Sequence, residues 1–172
     1  MTALTLRPAH HDDASSIAAL CIEVWLGTYI KQGINKVFAD FALSEFTVEN
    51  VANLLADPNE HMVVSQNQDG IDGLMRLPLE NAPPVPGLSS FEISTLYVQP
   101  RHHGKGIGRA LLHAAFERCR SHKAQNVWLA TNAENSPAIA FDLSQGFDQV
   151  GTTHFTIDNQ AYLNNLYAYR LD

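Results

Sequence analysis

The first part of the chain changes from one hydrophobic pattern to another. Leu4 and Leu6 alternate with polar neighbours before a proline, which predicts a short strand ending in a turn. Apolar residues then recur every three or four positions, which predicts an amphipathic helix capped by Asp12 or Asp13 and ending near Tyr29. The apolar stripe of this helix consists of Ile17, Leu20, Cys21, Val24 and Trp25.

A further helix and a hairpin follow a less regular stretch. Thr47 begins the helix, with Asn50 three residues on, and a proline stops it. The period then changes to two, so residues 61–66 and 70–79 predict the two strands of a hairpin. Residues 81–90 contain three prolines and a glycine and predict a loop.

The second half predicts a strand, a glycine-rich loop and a helix in direct succession. The strand covers 91–98 and the loop covers 99–108. A strand at 126–131 would complete a right-handed parallel crossover with the first one. The apolar face of the helix between them consists of Ile107, Leu111, Leu112, Ala115, Phe116 and Cys119.

The chain ends in a well-marked helix and two strands. Ser136 is a candidate N-cap, Pro137 suits the first helical position, and Gly146 suits a left-handed residue after the helix. Residues 147–157 and 162–171 then predict a closing pair of strands.

Composition narrows the class of protein. The 172 residues suit one domain over 1–172, and 45% hydrophobic with 17% charged residues is near the globular average. No apolar run approaches the ~18 residues that cross a bilayer, so we expect a cytoplasmic protein without a membrane partner. Cys21 and Cys119 fall on apolar helix faces, which favours reduced, buried thiols.

Charge and histidine spacing argue against two further kinds of site. A formal net charge of −7 without a large Lys and Arg cluster disfavours nucleic-acid binding, because phosphates are neutralised by many cations on one face. The same acidic surface attracts cationic substrates. The eight histidines include adjacent pairs but no His-x3-His spacing, so no metal site is expected.

Gly104, Gly106 and Gly108 alternate with Lys105 and Ile107 where the predicted strand gives way to the helix. Without Cβ atoms, successive amides can turn toward one anion, and the helix N-terminus adds partial positive charge. Such a loop suits a pyrophosphate, although a glycine-rich turn without a ligand is the structural alternative. Neither the P-loop spacing nor the dinucleotide spacing G-x-G-x-x-G is present.

The residues from Glu92 to Leu112 carry a family resemblance. Their pattern, E-I-x2-L-Y-V-x-P-x2-H-G-K-G-I-G-R-x-L-L, resembles the central acyl-coenzyme A motif of the GNAT superfamily of N-acetyltransferases. The pattern N-x2-A-x2-F that starts at Asn135, followed by Gly-Phe at 146–147, resembles the family's next motif. The resemblance implies a mixed α/β single domain. Its central sheet would be mostly antiparallel, with one parallel strand pair at the cofactor site and about four flanking helices.

The resemblance also implies acetyl-coenzyme A as co-substrate, without a metal. The strand would pair through its backbone with the pantetheine arm at Leu96, Tyr97 and Val98, and Asn135 and Phe141 would contact the cofactor. The pyrophosphate would be held by His103, Gly104, Lys105, Gly106, Ile107, Gly108 and Arg109. The family usually has Arg or Gln at position 103, and we expect histidine there to weaken binding little, because backbone amides hold the anion.

The chemistry requires a base, because an aliphatic ammonium with a pKa near ~10.4 must lose a proton before it attacks a thioester. Glu92 is the candidate, acting directly or through a water; a solvated or ion-paired strand carboxylate is the alternative. The family often has a tyrosine acid where this chain has Asp142. Another group could donate instead, with Tyr97, Tyr162, Tyr167 and His154 as candidates, or no dedicated acid exists.

The acceptor is expected to be a small cationic amine. Trp25 and Tyr29 would lie beside the substrate cleft of this fold, with core packing as the alternative for Trp25. A more diffuse pattern resembles bacterial spermidine/spermine acetyltransferases. Peptide or protein N-acetylation and a non-catalytic acyl-coenzyme A sensor remain open alternatives, and the resemblance makes a homodimer an expectation.

Overall fold

The computed structural model describes residues 3–172, in which five α-helices and seven strands occur. The helices are α1 (Ala14–Tyr29), α2 (Lys36–Glu45), α3 (Val48–Ala56), α4 (Ile107–Ser121) and α5 (Ser136–Ser144). The strands are β1 (Thr5–Pro8), β2 (Glu60–Gln66), β3 (Ile71–Pro78), β4 (Thr95–Val98), β5 (Asn126–Asn132), β6 (Asp148–Ile157) and β7 (Gln160–Arg170). The mixed α/β class predicted from the sequence is confirmed.

The residues group into two compact units. Within residues 3–172, the first comprises the residues up to Arg76 and Thr95–Ala114, and the second comprises Leu77–Ser94 and Ala115–Asp172. The single domain over 1–172 stays a prediction. No helix within 3–172 combines the length and the apolar character needed to span a membrane.

The first unit is built on a four-stranded sheet with the order β1-β2-β3-β4. Strand β4 runs antiparallel to β3, with Val98 opposite Gly73 and Leu96 opposite Met75. Its core joins the apolar stripe of α1 to α3 and the sheet, and includes Ile17 at 1% exposure and Val64 at 0%. Because side chains alternate along a strand, Leu74 and Tyr97 share the face that packs on α1, where both belong to this core.

Helix α4 begins directly against β3, and Gly73 permits the approach. A Cβ at this position would lie 2.9 Å from Ile107 Cγ2, 3.0 Å from Leu111 Cδ1 and 3.3 Å from the Tyr97 carbonyl oxygen. A glycine inside a strand often marks such a close approach. The buried Ile107 and Leu111 thus fix the first turn of α4 against the sheet.

The second unit contains a three-stranded antiparallel sheet with the order β5-β7-β6. Three aromatic rings fill its core: Phe116 stacks on Tyr169 at a centroid distance of 4.2 Å, and Phe147 lies 5.9 Å from Phe116. Gly146 has φ +96°, the left-handed residue predicted after α5. The boundaries of the closing strands agree with the prediction to within two residues.

The predicted strand over 91–98 is shorter in the structure. Its first residues make a parallel bridge between Glu92 and Trp128, with Ile93 N–H donating to the Trp128 carbonyl oxygen at 2.8 Å. From Thr95 onward the chain pairs with β3 instead. The predicted parallel strand pair is therefore confined to one bridge, because the chain changes pairing partner after Ile93.

Two helix predictions also need correction. Helix α2 falls in the stretch whose sequence shows no regular pattern, so five helices are present among residues 3–172 where about four are expected. The N-cap of α5 is Asn135 and not the predicted Ser136, because Asn135 Oδ1 accepts from Ala138 N–H at 3.3 Å. An Asn side chain reaches the N3 amide of a helix as readily as a serine does, so the pattern alone leaves the cap uncertain by one residue.

We expect Gly73→Ala to destabilise the protein, because its Cβ would overlap Ile107 and Leu111 in the α4 contact. Overpacking of this kind costs about 1–3 kcal/mol, which corresponds to a decrease of roughly 2–10 °C in Tm. Gly33→Ala is the control, since no atom lies within 4 Å of the place a Cβ would take there and its φ is outside the left-handed range. Thermal unfolding followed by circular dichroism measures both, and equal Tm values for the two variants would contradict this packing.

Candidate functional site

The glycine-rich loop before α4 has the backbone conformation that its sequence suggests. Gly104 has φ +78° and Gly106 has φ +82°, both in the left-handed region that L side chains rarely adopt. Lys105 lies between them and is exposed. Alternation of this kind turns successive N–H groups toward one side of the loop, which is the geometry of an anion-binding nest.

The amides of this loop are available to a ligand. Ala110 N–H closes the first turn of α4 by donating to the Gly106 carbonyl oxygen at 3.0 Å. Within residues 3–172, the N–H groups from Gly104 to Arg109 have no protein acceptor. These groups include the orphan donors of a 15-residue helix, whose N-terminus carries partial positive charge. The loop can therefore hold a multiply charged anion through its backbone.

Three side chains of the loop have distinct surroundings. His103 is exposed, and its Nε2 lies 3.1 Å from the Val98 carbonyl oxygen, so Nε2–H donates back to strand β4. Lys105 Nζ lies 3.2 Å from His102 Nδ1. Arg109 is exposed. The histidine links the loop to the strand, while the lysine and the arginine add positive charge near the amides.

Strand β4 forms one edge of the four-stranded sheet and holds the half-buried Leu96, Tyr97 and Val98. An edge strand presents backbone N–H and C=O groups to an extended partner. Burial raises the pKa of the Tyr97 phenol, with the neighbouring Cys21 and Tyr29 adding to the effect. Tyr97 therefore stays protonated at neutral pH and packs beside α1.

Glu92 lies in the second unit, on the segment that bridges to Trp128. Its half-buried carboxylate accepts a hydrogen bond from Asn81 Nδ2. Asn81 in turn begins the proline-containing loop, and its N–H donates to the Ser90 carbonyl oxygen at 2.9 Å. The position of the carboxylate is thus fixed by both its strand and its loop.

The proline-containing loop is fastened at its other end to the start of β5. Asn126 Oδ1 accepts from Ser89 N–H at 2.8 Å, and Asn126 Nδ2 donates to the Gly87 carbonyl oxygen at 3.0 Å. Trp128 Nε1 donates to the Ser89 carbonyl oxygen at 3.0 Å. The segment before Glu92 is therefore held by side chains of β5.

Helix α5 holds the other predicted residues of the second unit. Asn135 caps the helix and Phe141 is half-buried. Asp142, in the position where the family often has tyrosine, is only 4% exposed, and its Oδ2 accepts from Thr131 Oγ1 at 2.8 Å. Burial raises the Asp142 pKa to about 6, and the Thr131 hydrogen bond opposes that shift.

Trp25 lies in an aromatic cluster of the first unit, consistent with the packing alternative. It is 4% exposed and stacks on Tyr29 and Phe41 at centroid distances of 4.7 and 4.8 Å. Phe38 and Phe46 contact the same indole from other directions. Tyr29 is half-buried at the edge of this cluster and keeps part of its ring accessible.

The structure therefore gathers the predicted residues into two groups. The first unit holds Trp25, Tyr29, β4 and the loop up to Arg109, and the second holds Glu92, Asn135 and Phe141. Of the suggested acids, Tyr167 is 1% exposed and its hydroxyl accepts from Asn165 Nδ2, whereas His154 is exposed. In the described part of the chain, no three His, Cys, Asp or Glu side chains are placed to hold a metal ion.

Sequence reasoning missed three residues that shape these groups. Asn81 bonds Glu92, Thr131 bonds Asp142, and Gly73 admits α4. Only Gly73 carries a signal, as an isolated glycine within a strand pattern. The two polar partners lie 11 positions from the residues that they bond, beyond the reach of local spacing.

The chain is similar to known acetyltransferases. Residues 32–147 match the family described as the acetyltransferase (GNAT) family. An uncharacterised N-acetyltransferase of Mycobacterium tuberculosis (strain ATCC 25618 / H37Rv) is 29% identical over 119 residues, covering 69% of this chain and 72% of that protein. The N-alpha-acetyltransferase RimI of the same strain is 33% identical over 100 residues, covering 56% of this chain and 58% of RimI.

Solved structures show the same fold. The PaiA N-acetyltransferase of Thermoplasma acidophilum, crystallised in complex with coenzyme A, superposes with a TM-score of 0.78. The match covers 98% of this chain and 99% of that chain at 16% sequence identity.

We expect Asp142→Asn to stabilise the protein at neutral pH and to leave it nearly unchanged at pH 4. A carboxyl whose folded pKa is raised to about 6 contributes stability that is full below its ordinary pKa and is lost as the pH rises through 6. Above that pH the ionised form is disfavoured by up to about 2–3 kcal/mol. Asparagine keeps an acceptor for Thr131 and carries no charge.

Thermal unfolding at pH 4 and pH 8 measures this difference. Asp148→Asn, on the exposed start of β6, is the matched control. Because the carboxyl is buried, we expect Asp142→Asn to have a higher Tm than wild type at pH 8. An equal change in Tm at pH 4 and pH 8 would show that the carboxyl is not held in a desolvated site.

Proposed function

Because this chain belongs to the acetyltransferase (GNAT) family, we propose that it transfers the acetyl group of acetyl-coenzyme A to a primary amine, with direct attack in a ternary complex. The chain is an acetyltransferase by family. The cofactor is supported by the geometry of the loop before α4, and the class of acceptor by the acidic balance of the chain. The observation that carries the proposal is the set of amides between Gly104 and Arg109, at the start of α4, for which residues 3–172 supply no acceptor.

These amides suit the diphosphate of coenzyme A. They combine a helix N-terminus with two left-handed glycines and the exposed cations Lys105 and Arg109. A backbone nest of this kind binds phosphate groups without requiring a particular side chain. The exchange of the usual Arg or Gln for His103 is compatible with this, because His103 bonds the Val98 carbonyl oxygen and the backbone is left to hold the anion.

The edge of β4 suits the pantetheine arm. Pantetheine is an extended chain with two amides, and such a chain can add to an open strand edge. The Val98 carbonyl oxygen already accepts from His103. We therefore propose that Val98 contributes its N–H to the pantetheine arm, and that Leu96 contributes its N–H and C=O. Asn135 and Phe141 are proposed to contact the cofactor nearer the thioester.

Glu92 is the proposed base. The ammonium of the acceptor gives a proton to Glu92, directly or through one water, and the neutral nitrogen then attacks the thioester carbon. The carbon–nitrogen bond forms, the nitrogen gives its second proton to solvent, the carbon–sulfur bond breaks, and the thiolate leaves with the electron pair. Asn81 donates to the Glu92 carboxylate and holds it in position.

No dedicated acid is proposed for the leaving thiol. Asp142 has a pKa of about 6 and is ionised in most molecules above neutral pH, so it is a poor proton donor there. A thiol with a pKa near ~8.5 leaves readily without protonation. The solvent then supplies the proton.

The acceptor is proposed to be a small amine, including polyamines. The acidic balance of the chain favours a cationic substrate, and the net charge is −7. Peptide N-terminal acetylation is the second candidate, favoured by the 33% identity to RimI.

Release of free thiol with a panel of diamines and peptide amines separates the two candidates. Binding of acetyl-coenzyme A without thiol release on any acceptor would favour a sensor.

Gly106→Ala is expected to weaken acetyl-coenzyme A binding. A non-glycine residue at φ +82° costs roughly 1–2 kcal/mol, so the loop would relax away from the conformation that gathers the amides. We expect Kd to rise about five- to thirtyfold, measured by calorimetry. Gly27→Ala, at an exposed position of α1 with no atom within 4 Å, should leave Kd unchanged. Equal Kd values in both variants would remove the loop from the binding site.

Glu92→Gln is expected to lower kcat by about 10²- to 10⁴-fold, because a general base contributes that range. Glutamine retains the shape of the side chain and an acceptor for Asn81, so acetyl-coenzyme A should still raise Tm as it does in wild type. Glu117→Gln, an exposed position of α4 paired with Arg120, is the control and should change kcat little. A wild-type kcat in Glu92→Gln would show that another group takes the proton.

A further inference from the structure

The first unit contains a cavity of about 300 Å³ to which no role has been assigned above. It lies among α1, the α2–α3 junction and strands β2, β3 and β4, and is named the α3 cavity here. Its floor is apolar and includes Ile17, Val51 and Leu74, each no more than 4% exposed. Its rim is polar and includes Glu45, Asn50 and Asn53.

One end of the α3 cavity reaches strand β4. Thr95, the first residue of that strand, contributes to the cavity wall. In the chain it stands directly before Leu96 and three residues after Glu92. A ligand in the cavity would therefore touch the strand that carries the proposed pantetheine contacts.

Two charged side chains line the cavity, and one of them is Glu45. Arg76 also lines the cavity, but two of its nitrogens bond the Glu60 carboxylate at 2.9 and 2.6 Å, which balances its charge. Glu45 is exposed at the end of α2 and, among residues 3–172, has no cationic side chain within ion-pair distance. One carboxylate is thus left to face a ligand.

The position of Glu45 is set by the helix junction. Asn50 Nδ2 donates to the carbonyl oxygens of Ser44 and Glu45 at 3.2 and 2.9 Å, which satisfies acceptors at the end of α2. With its Nδ2 used in this way, Asn50 keeps Oδ1 for a donor from the cavity. The half-buried Phe46 lines the same rim, and an aromatic ring there can contact a cation.

The volume of the cavity accommodates a small ligand. At ~30 Å³ per water molecule in the liquid, 300 Å³ corresponds to roughly ten non-hydrogen atoms. An apolar floor suits methylene groups, and a carboxylate with amide oxygens at the rim suits an ammonium group.

We infer that the α3 cavity binds the acceptor, and that Glu45 selects acceptors with a second cationic group a few methylenes from the reacting amine. The inference rests on the proposed function and deepens it, since it names a diamine or polyamine as the class of substrate. The reacting nitrogen lies at the Thr95 end, the methylenes lie along the floor, and the second ammonium lies at Glu45.

The test compares two acceptors that differ in one charge, 1,4-diaminobutane and 1-butylamine. Wild type is expected to favour the diamine in kcat/KM, mainly through a lower KM. In Glu45→Gln this preference should fall by roughly 1.5- to fivefold, the range for one exposed charge pair. High salt should reduce the wild-type preference in the same direction, because an exposed pair is screened.

Glu49→Gln is the matched control, since Glu49 is exposed on the first turn of α3 and does not line the cavity. It should retain the wild-type preference. If Glu45→Gln keeps the wild-type preference while thiol release continues, the inference is overturned and the proposed function stands.

A binding measurement keeps the inference testable without turnover. Calorimetric titration with 1,4-diaminobutane, in the presence of coenzyme A, should show a Kd that rises in Glu45→Gln and not in Glu49→Gln. Absence of diamine binding, or equal Kd values in the two variants, would overturn the inference. Absence of thiol release with every amine, together with normal diamine binding, would contradict the proposed function alone.

Discussion

The first turn of α4 is the constraint on which the site depends. A helix leaves its first amides without partners, and here those amides adjoin a loop whose two left-handed glycines bring further N–H groups to the same place. Burial of Ile107 and Leu111 against β3 holds this turn in position, and the contact exists because Gly73 has no side chain. Packing therefore provides a rigid frame for donors that find no acceptor among residues 3–172 and remain open to a ligand.

The elements with strong local signals were predictable. Helix α1 from its apolar stripe, α3 from the Thr47 cap, and the turn at Gly146 all follow from side-chain spacing and backbone geometry. Helix α2 was not predicted, because its aromatic residues Phe38 and Phe41 pack against Trp25 of another helix and form no clear stripe in the sequence. Likewise, no local pattern reveals that the chain changes pairing partner between Ile93 and Thr95.

The site shows the same division between local and long-range information. The loop from His103 to Arg109 was predictable, since glycine spacing encodes backbone geometry directly. The setting of Glu92 and Asp142 was not, because it depends on Asn81 and Thr131 across the fold. Glu45 carried no signal in the sequence at all. Its significance comes from a cavity formed by five separate segments of the chain.

The most direct test of the anion site observes the amides themselves. Coenzyme A is titrated into ¹⁵N-labelled protein, and the backbone amide resonances are followed by NMR. We expect the largest saturable shifts at Gly104 to Arg109, with Gly27 and Gly33 unmoved. Saturable binding that leaves the resonances of residues 104–109 in place would contradict the assignment of this loop as the diphosphate site.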